Sequence, residues 1–354
     1  MKKNLLSFLI CPICKKNLTL KVFKENNGEI EEGLLFCSCG QFFPIIENIP
    51  RILIGDLRII IYEQFPDFFK KYKDFLPQEK INKKIRNDSL KKKKISESFG
   101  YEWQKFPEMI KEWRKNFEFY FEPLKTLDLL KNKTVLEVGC GMGRHTFYVA
   151  GLAKEIISID LSQSIDVALF NNKAITNIHF IQTDIYHLPF KNNSFDFIFS
   201  LGVLHHLPAP EEGFNKLLNL LKNNAGILIY VYHSFSKRTF NFYALKFVNF
   251  FRRFTVKLPH RLIYLLCYPI AVLNYCIFIL PYKFFFRKAD IANWPLKLYL
   301  NYPFRVLLND TFDRFSAPIE KRYSKEEILE WYQRARLKNI KILGGGGWRI
   351  FGEK

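Results

Sequence analysis

The chain has 354 residues, 48% of them hydrophobic, and a formal net charge of +20 at pH 7. That length allows two domains, or one elaborated domain with a sizeable core. Seven cysteines, with no recognisable secretory signal at the start, argue against a secreted disulfide framework and favour a reducing cytoplasm. The basic charge suits nucleic acid, an anionic lipid surface or an acidic substrate as partner.

Four of the cysteines form two close pairs near the start, Cys11 with Cys14 and Cys37 with Cys39. Two thiolate pairs on two turns can form a tetrahedral sulfur cage, which suits a structural zinc ion in a small domain with little core. The second pair is one residue shorter than the usual spacing, so four unmetallated surface thiols are the alternative. A catalytic zinc is disfavoured, because four cysteines leave no open position. We predict that residues 1–55 form this domain.

Residues 56–97 are predicted to be a basic linker. Lysine-rich, polar sequence fills residues 64–94, with four consecutive lysines at residues 91–94. A solvated linker is the favoured interpretation, and a contact with nucleic acid or with a membrane is the alternative.

Residues 134–150, TVLEVGCGMGRHTFYVA, predict a strand, a tight glycine turn and a helix start. Gly139, Gly141 and Gly143 allow unusual backbone dihedrals and a close approach of ligand to main-chain atoms. Such a turn serves a nicotinamide dinucleotide as well as S-adenosylmethionine (SAM). Glu137 favours SAM, because a carboxylate there repels a pyrophosphate but can hold the ammonium group of a methionine moiety, directly or through water.

Two further acids follow at the ends of the next two apolar runs. Asp160 suits the ribose hydroxyls, and Asp184 suits the adenine amino group. Leu161, Ile185 and Ser200 are included among the predicted cofactor contacts. A strand end or a helix cap would explain either acid alone, but the combination with the glycine turn favours a nucleotide site.

With these motifs, residues 133–233 resemble a class I SAM-dependent methyltransferase. The resemblance rests on the glycine turn, on the two acids and on FDFIFSLGVLHHL at residues 195–207, which is similar to a motif of the family's small-molecule and lipid-precursor members. It implies an α/β fold with a Rossmann-like seven-stranded sheet and helices on both faces. It also implies that an aromatic segment before the turn covers the cofactor as a lid.

The candidate lid is SFGYEW at residues 98–103. Tyr101 and Trp103 are its candidate side chains, and Tyr101 is included among the cofactor contacts. A dry aromatic site would assist transfer, since the sulfonium loses its charge as the methyl group leaves. Ordinary helix packing is the alternative for both side chains.

The N-terminal 55 residues resemble the small zinc-ribbon domain of some bacterial methyltransferases, and that of activator partners of RNA and protein methyltransferases. The likeness lies in the sequences CPICKKNL, LFCSCGQFFPI and ENIPRIL. The implied role of the four cysteines is to hold a structural zinc ion.

The predicted core alternates strand and helix, with strands at residues 134–138, 155–160, 178–182, 195–200 and 226–232. The fourth strand is followed by His205 and His206, either of which is a candidate base toward an acidic hydroxyl. The alternative is that the histidines brace the helix turn, because methyl transfer by alignment needs no base. The run SLGVLHHL also argues against methylation of exocyclic base amino groups, whose enzymes usually carry an Asn/Asp-Pro-Pro-aromatic sequence here.

Residues 234–310 are predicted to be a hydrophobic helical insertion. Within it, residues 262–282 carry no formal charge over a length that can cross a bilayer, although Pro269, Asn274 and Pro281 interrupt the run. Cations bracket this stretch, as they do in an interfacial or re-entrant element: Arg252, Arg253, Lys257, His260, Arg261, Lys283, Arg287 and Lys288. Membrane-surface attachment, a buried cap over an apolar pocket and true spanning are the three alternatives.

Residues 311–354 are predicted to complete the core with a helix and two strands. Ser324 and Glu327 form a capping box at the helix start. Arg314 is a candidate for holding an anionic acceptor, with a surface ion pair as the alternative. The core itself is assigned to residues 98–233.

The leading hypothesis is a SAM-dependent methyltransferase that acts on a small or lipid-like acceptor at a membrane surface. The alternatives are an RNA methyltransferase, suggested by the zinc ribbon and the charge, and a SAM-binding or membrane-associated adaptor without catalysis. The expected cofactors are SAM and structural zinc. The expected partners are a small-molecule or lipid-like substrate and an anionic membrane surface, with RNA ranked lower, and the expected location is the cytoplasm, at the inner face of the membrane.

Overall fold

Eleven β-strands form one continuous sheet in the computed structural model of this protein, which describes residues 1–77, 85–237, 239–285 and 296–354. The strands are β1 (Thr19–Asn26), β2 (Glu29–Phe36), β3 (Phe42–Ile46), β4 (Ile49–Ile52), β5 (Thr134–Val138), β6 (Glu155–Asp160), β7 (Ile178–Thr183), β8 (Phe195–Leu201), β9 (Leu221–Tyr232), β10 (Lys338–Leu343) and β11 (Gly347–Glu353). Their spatial order is β1-β2-β3-β4-β7-β6-β5-β8-β9-β11-β10. Arg287 and Lys288, which were predicted to flank the apolar run, lie outside the described residues.

Twelve α-helices accompany the sheet within the described ranges. They are α1 (Arg58–Gln64), α2 (Pro66–Lys71), α3 (Asn87–Lys105), α4 (Trp113–Phe121), α5 (Arg144–Ala150), α6 (Ser164–Asn171), α7 (Pro210–Leu218), α8 (Phe240–Thr255), α9 (His260–Asn274), α10 (Leu280–Phe285), α11 (Phe304–Ser316) and α12 (Lys325–Arg334). The predicted capping box at the start of α12 is present, with Ser324 and Glu327 bonded reciprocally.

The central strands β7, β6, β5, β8 and β9 are parallel, and β11 lies antiparallel between β9 and β10. Successive strand residues point to opposite faces, so Leu136 and Ile157 belong to one apolar cluster while Val135 and Ile156 belong to another. Helices cover both clusters. The expected α/β class is confirmed, and the first four predicted core strands agree with the structure to within one residue.

The strand number differs from the expected seven because the N-terminal ribbon continues the core sheet. β4 pairs in parallel with β7, with Arg51 opposite Gln182 and Ile52 opposite Thr183. Arg51 is fully buried, its Nη1 donates to Gln182 Oε1 at 3.1 Å, and its Nη2 forms an ion pair with Asp166. A buried guanidinium is tolerated at this junction because it is paired and hydrogen-bonded.

The predicted basic linker contains helices α1, α2 and the first part of α3. The four lysines at residues 91–94 lie within α3 rather than in solvated coil. Lys92 Nζ contacts Asp184 at 2.7 Å, and Ser98 Oγ donates to Ser316 O at 3.1 Å. These contacts attach α3 to the end of β7 and to α11. Lys93 pairs with Glu63 at 2.6 Å, whereas Lys91 and Lys94 are exposed.

The insertion folds as α8, α9, α10 and a π-helical turn, Tyr275–Ile279, between the last two. Ile263 and Cys267 of α9 pack against Leu308 of α11. Within the described residues one helical run, His260–Phe285, is long and apolar enough to cross a membrane, and 22% of its apolar window is buried. A single run of this kind is weak evidence for spanning, so membrane association stays a prediction.

Candidate functional site

A cavity of about 180 Å³ lies beside the glycine turn, at the carboxyl ends of β5, β6, β7 and β8. Parallel α/β sheets bind ligands at this edge. Helices α3, α5 and α11 complete its wall with side chains such as Phe99, Arg144 and Asp310. We call it the cofactor cavity.

The glycine turn forms the floor of the cofactor cavity. Gly139, Gly141 and Gly143 have φ values of +77°, +54° and +81°, a region that favours glycine. A Cβ on Gly139 would lie 2.2 Å from a methyl group of Val203, and one on Gly141 would lie 2.9 Å from Trp103 Nε1. The turn therefore excludes side chains sterically as well as conformationally, which leaves main-chain atoms available to a ligand.

Asp160 lies at the end of β6 and lines the cavity next to Leu161. Its Oδ2 accepts the Gly141 N–H at 3.0 Å, and its Oδ1 accepts the Ser162 N–H at 2.8 Å and the Ser162 hydroxyl at 2.7 Å. Burial raises the pKa of Asp160 even though these bonds act against it. A carboxylate oxygen has more than one lone pair, so this rigidly held group can still accept hydroxyl donors from a ligand.

Asp184 and Ile185 line the next part of the wall, after β7. Asp184 Oδ2 pairs with Lys92 Nζ at 2.7 Å and with His187 Nδ1 at 3.2 Å. Burial opposes ionisation, but the hydrogen bond from His187 and the charge of Lys92 hold the pKa of the Asp184 carboxyl below its ordinary value. The pairing with Lys92 was missed, because the lysine run was interpreted as linker.

Glu137 does not line the cofactor cavity, contrary to the expectation of an ammonium contact. Its side chain is buried behind the turn, where Oε2 accepts hydroxyl donors from Thr146 and, at 2.9 Å, from Ser158. Burial raises the pKa of Glu137 to about 7, against the effect of these bonds. The residue holds β5, β6 and α5 together beneath the site.

Two other expected cofactor contacts are also turned away from the cavity. The Tyr101 ring packs on His260 and Phe312, with centroids 5.5 Å apart in each case. Ser200 is buried and donates its hydroxyl to Val138 O at 3.1 Å. Neither lines the cavity, whereas Trp103, the second lid candidate, does. Tyr101 and Trp103 differ because residues two apart on a helix such as α3 point to different sides.

The two histidines after β8 have different surroundings. His205 is fully buried with neither ring nitrogen hydrogen-bonded to a described residue, and burial lowers its pKa well below the ordinary value. His206 lines the cofactor cavity, and its Nδ1 lies 2.6 Å from Ile319 O. A carbonyl only accepts, so Nδ1 carries the proton and Nε2 of the neutral ring is the acceptor nitrogen.

A second cavity of about 720 Å³ shares a wall with the cofactor cavity. The residues common to both are Tyr120, Arg144, Tyr230, Tyr232, Asp310 and Asp313. Burial raises the pKa values of the two aspartates. Asp313 Oδ2 accepts the Tyr232 hydroxyl at 3.4 Å, while its buried Oδ1 accepts from no described residue. We call this space the outer cavity.

The two aspartates were missed, although their spacing of three on one helix indicates a shared face. Arg314, the predicted anion-binding residue, also lines the outer cavity, where nearby Tyr299 and Asp310 raise its pKa despite burial. Buried Glu102 of α3 faces the cofactor cavity, and burial raises its pKa well above the ordinary value.

The four N-terminal cysteines form a cluster in which all sulfurs lie within 4.8 Å of one another. Cys11 Sγ is 3.7 Å from Cys39 Sγ, and Cys14 Sγ is 3.2 Å from Cys37 Sγ. Four sulfurs at about 2.3 Å from a tetrahedral zinc ion would be about 3.8 Å apart, so the set fits zinc despite the short second spacing. The Lys16 N–H bond lowers the pKa of Cys14 to about 7, whereas burial raises the pKa values of Cys11 and Cys37.

Two known families match separate parts of the chain. A methyltransferase domain family, Methyltransf_31, matches residues 129–246, and the Trm112p-like protein family matches residues 2–48. Among solved structures, a putative methyltransferase from Bacillus halodurans has 13% identity and a TM-score of 0.40, covering 66% of this chain and 94% of that chain. The 1,6-didemethyltoxoflavin-N1-methyltransferase of Burkholderia thailandensis has 11% identity and a TM-score of 0.45, covering 77% and 93%.

Similar curated proteins include tRNA U34 carboxymethyltransferases. That of Cellvibrio japonicus is 32% identical over 138 residues, which are 36% of this chain and 42% of the relative. That of Psychromonas ingrahamii is 28% identical over 185 residues, which are 48% of this chain and 56% of the relative. The chain thus spans about half the length of these relatives.

These relatives correct the leading hypothesis about the acceptor. A small-molecule or lipid-like substrate conflicts with proteins whose names describe tRNA, and the RNA alternative fits better. The expectations of a methyltransferase fold, a SAM-type cofactor site and a zinc-ribbon-like N-terminus are confirmed. The chain therefore joins a Trm112-like domain of zinc-ribbon type to a class I SAM-dependent methyltransferase domain.

Proposed function

We propose that this protein transfers a methyl group from SAM to an RNA acceptor, with tRNA as the RNA class. The observation that carries the proposal is that two cavities are adjacent. The cofactor cavity at the glycine turn and the larger outer cavity share lining residues. One cavity suits the methyl donor and the other suits a bulky acceptor. The named activity of the curated relatives supports tRNA, and the net charge of +20 suits a polyanion.

The proposed cofactor contacts are the backbone of the glycine turn together with Asp160, Leu161, Asp184 and Ile185. Bound SAM supplies an electrophilic methyl group on a sulfonium. Asp160 is held by its bonds to Gly141 and Ser162, so that it accepts ribose hydroxyls without reorganising. Trp103 closes the same wall with its indole and excludes water.

His206 is the proposed base, and His205 is proposed to be structural. The bond from His206 Nδ1 to Ile319 O leaves Nε2 unprotonated in the neutral ring, which is the form that takes a proton from an acceptor hydroxyl. His205 is sealed against Tyr232, with ring centroids 4.0 Å apart. Alignment of the acceptor with the methyl group supplies the remaining acceleration.

The transferred group is proposed to be methyl, although the names of the relatives describe a carboxymethyl group. Carboxyl groups of Glu102, Asp310 and Asp313 line the cofactor cavity, and Arg144 supplies a single guanidinium among them. An added carboxylate would meet like charge whenever these acids ionise. Mass spectrometry of the product nucleoside separates the two groups directly.

The direct test is transfer of labelled methyl from SAM to total tRNA and to lipid extract from the same cells. Label in the tRNA fraction, eliminated by ribonuclease, is the expected outcome. Label confined to lipid, or no transfer by protein that binds S-adenosylhomocysteine (SAH) in calorimetry, would contradict the RNA assignment. The SAH measurement ensures that a negative result does not reflect misfolded protein.

We also propose a cytoplasmic location in which the insertion contacts an anionic membrane surface. α8, α9 and α10 expose many large apolar side chains, among them Phe247, Phe250, Phe254, Leu265, Leu273, Phe284 and Phe285. Exposed apolar side chains in this number are typical of an interaction site. Cations of α8 and α9, such as Arg253 and Arg261, suit phosphate headgroups.

Sedimentation with vesicles tests this location. Vesicles with phosphatidylglycerol should retain the protein more strongly than phosphatidylcholine vesicles, and high salt should weaken the difference. Phe250→Glu together with Phe254→Glu should release the protein without changing its SAH affinity. Equal retention of this variant would contradict the proposed contact surface.

A further inference from the structure

We infer that the ammonium group of the cofactor's methionine moiety is held by Glu102 of α3 together with Asn309 and Asp313 of α11. The inference rests on the SAM site of the proposed function and names the residues that bind one group of that ligand. It does not depend on the nature of the methyl acceptor. Three observations carry it: acceptor atoms without donors, an excess of acidic side chains, and a position beside the glycine turn.

Three buried acceptor oxygens belong to residues that line the cofactor cavity and have no donor. They are Glu102 Oε2, Asn309 Oδ1 and Asp313 Oδ1, and none of them accepts a hydrogen bond from a described residue. The exposed fractions of Glu102 and Asn309 are 3% and 4%. Buried acceptors without donors are costly, so a group of them on one cavity indicates a ligand that supplies N–H or O–H groups.

The same wall carries more acidic than basic side chains. Glu102, Asp310 and Asp313 line the cofactor cavity, and Arg144 is the only lysine or arginine among the described residues that line it. Burial, followed by the charges of Asp313 and Asp310, raises the pKa of Glu102 against the effect of Arg144. A bound cation would supply the missing positive charge and stabilise the ionised carboxylate.

A primary ammonium group fits this wall better than a metal ion or a water molecule. Within the described parts of the chain, the only group of three or more acid, histidine or cysteine side chains placed to hold a metal ion is the N-terminal cysteine cluster. A water molecule donates only two hydrogen bonds, whereas an ammonium group donates three and also carries the compensating charge. The sulfonium of SAM has no N–H group, so the ammonium is the positive group of SAM that can satisfy these acceptors.

The position of Glu102 beside the glycine turn agrees with this role. Trp103, the next residue, packs against the turn, since a Cβ on Gly141 would lie 2.9 Å from Trp103 Nε1. Asp160, the proposed ribose contact, accepts the Gly141 N–H at 3.0 Å. The methionine moiety of a cofactor bound in this way would start next to the turn, in the cavity that Glu102 lines. Glu102 thereby takes the role that the sequence suggested for Glu137.

The ammonium group would connect two helices that are distant in the sequence. α3 and α11 run antiparallel, with Arg305 Nη2 donating to Lys105 O at 2.7 Å and a second hydrogen bond near their other ends. Glu102 and Asn309 lie between these two contacts, and Asn309 donates a hydrogen bond to the Glu102 carboxyl. A cofactor that binds both side chains should therefore stabilise the two helices together.

Calorimetry with three ligands tests the ammonium site on the wild-type protein. SAH carries both charged groups of the amino acid, its deamino analogue lacks the ammonium group, and decarboxylated SAH lacks the carboxylate. The deamino analogue should bind about tenfold to a hundredfold more weakly than SAH, because the buried acceptors would remain without donors. Equal affinity of SAH and the deamino analogue would overturn the site.

Glu102→Gln removes the charge and keeps the shape of the side chain. Glu97→Gln is the matched control, because Glu97 lies on the same helix, is exposed and pairs with Lys93 at 3.8 Å. Glu102→Gln should weaken SAH and decarboxylated SAH about tenfold and change the affinity of the deamino analogue by less than about twofold. Equal weakening of all three ligands would show a merely structural role and overturn the assignment, as would three unchanged affinities.

Two further measurements keep the inference testable if Glu102→Gln does not fold. Asp313→Asn should reduce the preference for SAH over the deamino analogue roughly threefold, and an unchanged preference would count against the site. In wild type, SAH should slow amide hydrogen exchange in both α3 and α11, whereas the deamino analogue should protect α11 less. Equal protection of α11 by the two ligands would contradict the proposed connection.

The results separate this inference from the proposed function. If the ligand preferences are as expected while tRNA takes no label, the RNA assignment fails and the ammonium site stands. If tRNA is methylated and the deamino analogue binds as tightly as SAH, the ammonium site is wrong and the function stands. If folded protein binds none of the three ligands, the SAM site and this inference fail together.

Discussion

Replacement of Glu137 by Gln is expected to remove a pH-dependent loss of stability that the wild-type fold carries. The carboxyl is buried beneath the glycine turn and accepts hydroxyl donors from Thr146 and Ser158. Burial raises its pKa to about 7 in the folded protein, whereas the ordinary value is 4.5. Glutamine keeps a carbonyl oxygen for both donors and carries no charge at any pH.

The direction in which stability changes with pH follows from proton binding. Between the two pKa values the folded protein retains a proton that the unfolded chain has released, so stability falls as the pH rises through this window. The loss is complete above the folded value. A pKa of about 7 against 4.5 corresponds to roughly 3 kcal/mol of unfolding free energy.

Urea unfolding over a pH series measures this effect, with Glu118→Gln as the control for an exposed carboxylate. The stability of Glu137→Gln relative to wild type should increase by roughly 3 kcal/mol between about pH 4.5 and pH 8. The control should show no comparable trend. A constant difference for Glu137→Gln would refute the reasoning. A hundredfold loss of SAH affinity would show instead that Glu137 reaches the ligand, as the sequence suggested.

Three further predictions concern the cofactor site, the base and the ribbon. Asp160→Asn should weaken SAH about tenfold to a hundredfold in calorimetry, because the charge-assisted bonds to hydroxyls are lost; unchanged affinity would remove Asp160 from the ligand contacts. His206→Gln should lower the rate of methyl transfer about a hundredfold while SAH affinity is retained; an unchanged rate would exclude the base role. Cys39→Ser should reduce bound zinc, measured by atomic absorption, and lower the melting temperature, whereas equal zinc content in variant and wild type would contradict the sulfur cage.

The parts of the site that could be predicted depend on short sequence spans. Gly139 to Gly143 and Asp160 lie at strand ends, where the chain direction alone decides which way the segment points. Tyr101 and Trp103 could not be separated in this way, because both are aromatic and only the phase of α3 determines which one reaches the cavity. Glu137 likewise lies on a strand that is covered on both faces, so its place in the sequence does not show whether its side chain points to the cofactor cavity.

The parts that could not be predicted depend on contacts between distant segments. The pairing of β4 with β7 and the ion pair of Lys92 with Asp184 each join residues far apart in the chain. Contacts between residues so far apart leave no periodic pattern in the amino-acid sequence. Asp310 and Asp313 of α11 are an intermediate case. Their spacing of three is visible in the sequence, but the cavity wall that they join is not.

The join between β4 and β7 has a consequence for synthesis. Arg51 precedes Gln182 by 131 residues, which the ribosome adds in on the order of ten seconds. Throughout that interval the outer strand of the nascent ribbon presents unpaired N–H and C=O groups beside an uncompensated guanidinium. Translation arrested before residue 178 should therefore release an aggregation-prone fragment. Slow codons within that span should reduce the yield of intact protein.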